Sequence, residues 1–413
     1  MSKKAMKCRV CGNKNLLTVV DLGEQYLTGV FPHTRDEKIS KGQLALVKCH
    51  ADSSKPVCSL LQLSESFDLD EMYGDNYGYR SGLNAAMVKH LKGKVDRILG
   101  FGTLASGDII VDIGANDGTT LAFYPPSMRR IGVDPTGEKF RKYYQAGIEL
   151  IPVFFSSASL LAHTDGCKPK VVTSFSMFYD LESPIDFCKQ IANVLDIDGI
   201  WVFEQSYMPL MLEKKSFDTI CHEHLEYYGL EQVIWILDAA GLKVVDVEVN
   251  DVNGGSFSVT AMHKSSSRLA TQDVQALLVK EAGLKTSTLA PYEEFNASIK
   301  EAKLELDRFL QQCKTTGKRI AALGASTKGN VLLQYLNLTA NDLIAIGEVN
   351  PDKFGRLTPG TNIPIIDESD LLREEIDYFL VLPWHFRNYF LECGRYTGKN
   401  LVFPLPRLEI VSL

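Results

Sequence analysis

The sequence predicts an α/β protein: a doubly wound, mostly parallel sheet between a small cysteine-bearing N-terminal module and a second α/β domain. Three observations carry that prediction. Strand-like and helix-like patterns alternate from about residue 109 to residue 263, as a parallel sheet with crossover helices requires. The first of those strands, Ile109-Ile-Val-Asp-Ile, runs into a glycine loop, Gly114-Ala-Asn-Asp-Gly118, and a helical pattern resumes at Thr120. The same order of strand, glycine turn and helix restarts at Lys318-Arg-Ile-Ala-Ala-Leu-Gly324. A chain of 413 residues is too long for one core. The patterns divide it into residues 1–75, 76–265, a helical connector over 266–315, and 316–413.

The bulk properties exclude several classes. A net charge of −7 without runs of like charge argues against nucleic acid as the main partner. No apolar stretch approaches a bilayer span, and the opening Met-Ser-Lys-Lys-Ala-Met-Lys-Cys lacks the apolar region of a secretory signal. A cytoplasmic protein with no membrane partner, monomeric or weakly dimeric, is expected.

The N-terminal module holds four of the nine cysteines, Cys8, Cys11, Cys49 and Cys58. Cys8-Arg-Val-Cys11-Gly has the form of a zinc knuckle. A strand-like stretch over 43–49 brings in Cys49, and Cys58 is the fourth candidate, with His50 an alternative to one of them. So small a module buries little apolar surface, and a structural zinc would substitute for core. Four thiolates would leave that metal no open position, so a catalytic zinc is not expected.

The central domain opens with a helical pattern over 83–100. Strands follow over 109–113, at Arg130-Ile-Gly-Val-Asp134, and over 149–155, 170–175, 199–205, 242–249 and 256–263. Asn253-Gly-Gly suits a hairpin turn between the last two. Gly114 lets a ligand approach the backbone, and an acid at Asp134 can take both hydroxyls of a ribose. Gly-x-Gly-x-x-Gly is absent, because Asn116 and Asp117 stand between the glycines. The loop resembles motif I of the class I S-adenosylmethionine-dependent methyltransferases. That resemblance implies a seven-stranded sheet closed by an antiparallel hairpin, with S-adenosylmethionine held by Asp112, Gly114, Asn116, Asp117, Gly118 and Asp134.

Polar residues cluster after the fifth strand. Glu204-Gln-Ser-Tyr207 stands at a carboxyl end, where a doubly wound sheet opens its crevice. Cys221-His222-Glu223-His224 follows, and it is not His-Glu-x-x-His, so a zinc-protease site is unsupported. A histidine near neutrality beside a carboxylate is the simplest general base available, and either His222 or His224 qualifies. Tyr77, Tyr79, Arg80 and Ser81 offer hydroxyls and a guanidinium suited to sugar and phosphate. Gly324-Ala-Ser-Thr-Lys328-Gly reads as a phosphate cradle, or as a tight turn capped by Ser326 or Thr327. It is not a nucleotide-hydrolysing loop, because Asn330 stands where that motif needs lysine. Pro383-Trp-His385-Phe-Arg387 follows a strand over 378–382.

In this order, these parts resemble the sugar C-methyltransferases that act on nucleotide-linked 4-keto-deoxyhexoses. The likeness spans nearly the whole chain: the cysteine module, Asp21-Leu-Gly before Phe31-Pro32, Val111-Asp-Ile-Gly-Ala-Asn-Asp-Gly118, Phe217-Asp218 with Glu223-His224, Gly324 to Asn330, and Pro383 to Arg387. It implies methyl transfer to C3 of a GDP- or dTDP-linked 4-keto-6-deoxyhexose through an enolate, in branched-chain deoxysugar biosynthesis. His224 would remove the C3 proton, with Glu223 and His222 beside it. The sugar nucleotide would meet Tyr77, Tyr79, Arg80, Ser81, Tyr179, Glu204, Lys328, Asn330, His385 and Arg387, its diphosphate near Lys328 or Arg80. The chain departs from the family at Cys221, where a tyrosine is usual, at His222, where an aspartate is usual, and in the wide gap from Cys49 to Cys58. Tyr207 or Tyr179 would then supply the missing hydroxyl. O- or N-methylation of a sugar or small metabolite, and a non-catalytic scaffold, are the alternatives.

Overall fold

Ile109–Ile113 is buried at every position, as befits a strand covered on both faces. In the computed structural model, which describes residues 3–51, 56–67, 71–72, 80–101 and 104–413, it lies inside a seven-stranded sheet. The order is Leu242–Asn250, Ser256–His263, Ile200–Ser206, Val171–Phe175, Ile109–Ile113, Arg129–Val133, Ile148–Ile151. All neighbours are parallel except Ser256–His263, which runs antiparallel to both of its partners. The chain first builds outward from Ile109–Ile113 in one direction and then returns to build in the other. The switch falls between Ile109–Ile113 and Val171–Phe175, so a crevice opens beyond their carboxyl ends, at the Gly114 loop. The strand expected over 149–155 ends at Ile151, because Pro152 has no amide to donate to a ladder.

The N-terminal module is a four-stranded antiparallel sheet ordered Glu226–Tyr227, Leu61–Leu63, Lys41–Cys49, Leu16–Tyr26. Its edge strand comes from far along the chain: Glu226 and Tyr227 pair with Gln62 and Leu61. The segment that carries His222, Glu223 and His224 is thereby built into the sheet of the cysteine module.

The connector is two helices, Gln272–Leu284 and Ala290–Thr315. The last sheet is six-stranded, ordered Ile365–Asp367, Ile346–Glu348, Ile320–Leu323, Tyr378–Val381, Asn400–Phe403, Glu409–Ser412, with only the final pair antiparallel. The helix expected after the Gly324 turn begins within that turn, at Thr327, and runs to Tyr335. It starts early because the Ser326 hydroxyl accepts from the Gly329 amide at 3.0 Å and so caps it. Among the described residues no helix is long and apolar enough to cross a membrane.

Candidate active site

The glycine loop at the switch point is shaped around Asp134. The Asn116 amide donates to its Oδ2 at 2.7 Å, and the Thr136 amide and hydroxyl donate to its Oδ1, both at 2.6 Å. These contacts aim a carboxylate at the crevice while lone pairs remain for diol hydroxyls. Gly114 and Gly118 have φ of +75° and +76°, and a Cβ on Gly118 would stand 3.1 Å from the Tyr144 ring. Behind the loop, Asp112 accepts from the Thr173 hydroxyl at 2.6 Å. Burial pushes its carboxyl up to about 7, against the pull of Thr173 and Thr120.

Residues 80–82 lie across this loop. The Ser81 amide donates to Asn116 Oδ1 at 3.0 Å and the Gly82 amide to Asp117 Oδ2 at 2.9 Å. Arg80 Nε stands 3.5 Å from the same Asp117 oxygen, and its guanidinium covers the Tyr143 ring at 3.8 Å. Arg80 and Ser81, expected beside the sugar nucleotide, are therefore attached to the glycine loop. Tyr77 and Tyr79 lie outside the described residues.

In the cysteine module, Cys8 and Cys58 sulfurs lie 3.4 Å apart and Cys11 and Cys49 sulfurs 3.5 Å apart. All four fall within 4.8 Å of one another. Tetrahedral zinc with Zn–S bonds of about 2.3 Å needs sulfurs about 3.8 Å apart, so the donor set fits a closed zinc site. The turn that shapes it is local: Gly12, at φ +72°, donates its amide to the Cys8 carbonyl at 3.0 Å. Cys58 completes the set, leaving no ligand position for His50.

At the junction of the three sheets stands His224. Its Nδ1 lies 3.1 Å from the Thr219 carbonyl, which can only accept, so Nδ1 carries the proton and Nε2 is left with its lone pair. Burial and the Lys328 ammonium push the imidazole down to about 3, so the ring is neutral at ordinary pH. The Tyr179 ring packs on it with centroids 4.1 Å apart. Lys328 donates to the Asn253 carbonyl at 2.6 Å. Burial lowers its pKa while Asp218 and Cys221 hold it up, and Asp218 in turn accepts from Trp384 Nε1 at 2.9 Å. A Cβ on Gly254 would stand 3.9 Å from Lys328 Nζ and 3.7 Å from His385 Cβ. The hairpin turn of the central sheet thus meets Lys328 and His385 of the C-terminal domain. Burial takes His385 well below its usual range, with Lys328 and Lys214 adding to it.

Thr28, from the N-terminal module, supports this group from behind. Its hydroxyl donates to Glu223 Oε2 at 3.4 Å and lies 3.3 Å from His222 Nδ1, and its carbonyl accepts from Asn330 at 2.7 Å. Burial raises the Glu223 carboxyl, against its own amide, Cys221 and Thr28. His222 is sealed, 0% exposed, edge-on to Phe67 at 4.6 Å, and burial pushes it down to about 4. Asn330 therefore reaches this group through Thr28.

Other expected residues are engaged elsewhere. The Tyr207 hydroxyl donates to the buried Glu281 at 2.7 Å, which also accepts from the Leu230 amide at 2.6 Å. Tyr179, not Tyr207, is the tyrosine against His224. Glu204 pairs with His90 at 2.5 Å, Lys94 at 2.7 Å and Asn250 at 2.8 Å. Burial would raise its carboxyl, yet His90 and Lys94 hold it below its usual range. Glu204 fastens the helix Ala85–Phe101 to the sheet. Arg387 makes a two-pronged pair with Glu409 at 2.8 and 2.7 Å. The turn at 324–329 is capped by Ser326, and its Lys328 turns to the crevice group. Thr28 and Thr219 were missed, because one acts through its hydroxyl and carbonyl and the other through its carbonyl alone, and neither leaves a motif.

Comparison with known proteins agrees with this layout. Residues 8–73 match a family model described as a zinc binding domain, residues 84–247 one described as a methyltransferase domain, and residues 251–406 one described as a C-methyltransferase C-terminal domain. The chain is 27% identical to the C-methyltransferase NovU of Streptomyces niveus over 98% of its own length and 97% of that protein's. Among solved structures it is similar to an O-methyltransferase family protein from Burkholderia thailandensis (17% identity, TM-score 0.37, 52% of this chain and 66% of that one). It is also similar to an S-adenosylmethionine-dependent methyltransferase from Clostridium acetobutylicum (13% identity, TM-score 0.34, 45% of this chain and 92% of that one). The central sheet and its glycine loop make the protein an S-adenosylmethionine-dependent methyltransferase with a zinc-binding N-terminal module. With the C-terminal match it is, more particularly, a C-methyltransferase.

Proposed function

We propose that this C-methyltransferase acts on a nucleotide-linked 4-keto-6-deoxyhexose, adding the methyl group at C3. The observation that supports it most is the His224 tautomer. A neutral imidazole, its Nδ1 tied to the Thr219 carbonyl, presents Nε2 as a base at the junction of the three sheets. A carbon beside a ketone is acidic enough for such a base once the enolate oxygen is stabilised. S-adenosylmethionine, when bound at the Asp134 loop, supplies an electrophilic methyl group. Nε2 takes the C3 proton, and the electron pair of the broken C–H bond moves into the enolate. The Lys328 ammonium beside His224 stabilises the growing negative charge and then disfavours keeping the proton on the imidazole. Lys328 and His385, at the meeting of the central hairpin and the C-terminal sheet, suit a diphosphate handle.

The test is direct. Purified protein with S-adenosylmethionine and a GDP- or dTDP-4-keto-6-deoxyhexose should gain one methyl on carbon, assigned by carbon NMR, with loss of the C3 hydrogen. In deuterated water that hydrogen should exchange even without the donor. A methyl found on oxygen or nitrogen, or no exchange with every such sugar, would overturn the reading.

A further inference from the structure

We infer that Arg9, which with Val10 separates the first two zinc-binding cysteines, positions the base segment by neutralising and holding the strand that follows His224; this rests on the reading of His224 as the base. Arg9 is fixed at its backbone, where its amide donates to Gln62 Oε1 at 2.9 Å. Its side chain is 4% exposed. The guanidinium donates to the Leu63 carbonyl at 2.9 Å, the Ser66 hydroxyl at 3.0 Å and the Leu225 carbonyl at 3.5 Å. Leu225, next to His224, is then held on both sides. Its carbonyl also accepts from the Leu63 amide at 2.8 Å, and its amide donates to the Tyr179 carbonyl at 2.8 Å. Tyr179 is the ring packed on His224.

One residue further on, Glu226 is 2% exposed, and burial raises its carboxyl well above the usual range while the Arg9 guanidinium pulls it back down. Arg9 Nε lies 3.7 Å from it, and Glu182, half exposed, shares the same guanidinium at 3.6 Å. A buried carboxylate stripped of its counter-charge must take a proton or move toward water. The strand Glu226–Tyr227 cannot move without drawing Leu225 and His224 with it. Arg9 thus links the zinc knuckle to the angle at which Nε2 meets substrate, and a misplacement of about 1 Å there costs on the order of 100-fold in rate.

The experiment uses the full-length, zinc-replete enzyme and compares R9M, R9K, E226Q and the R9M/E226Q pair. Zinc content, donor affinity, kcat, KM and C3 deuterium exchange on the sugar nucleotide are read for each. R9M should lower kcat and exchange about 10- to 100-fold, with KM and donor affinity unchanged. E226Q should restore part of that loss in the double variant, because the buried carboxyl that Arg9 draws toward its ionised form is then gone. R9K, which keeps the charge but not the fork, should fall between. Wild-type exchange in zinc-replete R9M, or a double variant no better than R9M, overturns the inference. Should R9M lose its zinc, R9K decides, and wild-type exchange in zinc-replete R9K overturns it equally. An H224Q enzyme that still exchanges would instead remove the reading of His224. An inactive H224Q beside an unimpaired R9M would remove this inference alone.

Discussion

His224 donates its Nδ1 proton to the carbonyl of Thr219, five residues earlier, at 3.1 Å. One main-chain acceptor thereby selects the tautomer that leaves Nε2 free to accept. H224Q should therefore lose methyl transfer by about 10²- to 10⁴-fold, while calorimetry finds S-adenosylmethionine binding within about twofold of wild type. Because the ring is held down to about 3, kcat/KM should stay level from pH 8 to pH 5. An acid limb near pH 6.5 that vanishes in H224Q would count against that environment.

Stability should carry the mark of the buried histidine behind it. In the unfolded chain His222 takes a proton near pH 6.5, whereas in the fold it resists until about 4. Its contribution is complete above pH 6.5 and lost as pH falls through that window, by about 1.4 kcal/mol per pH unit. Asp112 has the opposite sign. Its folded value of about 7 lies above the unfolded 3.8, so its contribution is complete below pH 3.8 and lost as pH rises through about 7. Because the two contributions oppose each other, H222L should raise the urea midpoint at pH 5 relative to that at pH 7, and D112N should lower it. Unchanged pH dependence in both variants would contradict these assignments.

The four sulfurs within 4.8 Å call for one zinc per chain by metal analysis. Chelation should remove several kcal/mol of stability, a fall in Tm of about 5 °C or more. Protection of the Tyr227 amide against hydrogen exchange should fall with it, since Glu226–Tyr227 is an edge strand of the module's sheet.

Arg80 separates a donor contact from a substrate contact. With Nε 3.5 Å from Asp117 and the guanidinium over Tyr143, R80M should weaken S-adenosylmethionine binding about tenfold, roughly 1.4 kcal/mol. The KM of the sugar nucleotide should not change. A rise in that KM alone, with donor affinity intact, would return Arg80 to the diphosphate.

What could be read in the chain follows the range of the forces involved. The strand Ile109–Ile113, its glycine loop and the Cys8–Cys11 knuckle depend on alternation, glycine φ and ligand spacing, which act over a few residues. The two-residue strand Glu226–Tyr227 has no periodicity to detect, and its partner Leu61–Leu63 lies more than 160 residues earlier. The strands Ile365–Asp367, Asn400–Phe403 and Glu409–Ser412 carry no such local signal either, whereas the equally short Ile320–Leu323 is marked by the glycine turn that follows it.

The sequence alone determined the three-part α/β plan, the glycine loop with its Asp134, and the cysteine quartet. Each is written in residues that must act where they stand. Only the tertiary structure decided how the polar residues divide. Arg80 and Ser81 went to the glycine loop, Tyr207 to Glu281 and Glu204 to the helix Ala85–Phe101. His224, Lys328 and His385 were gathered at one junction, and Thr28 and Arg9 were brought from the zinc module to support it. Buried charges and hydroxyls must find partners wherever packing puts them. Those partners are set by how the three sheets meet, which no local pattern records.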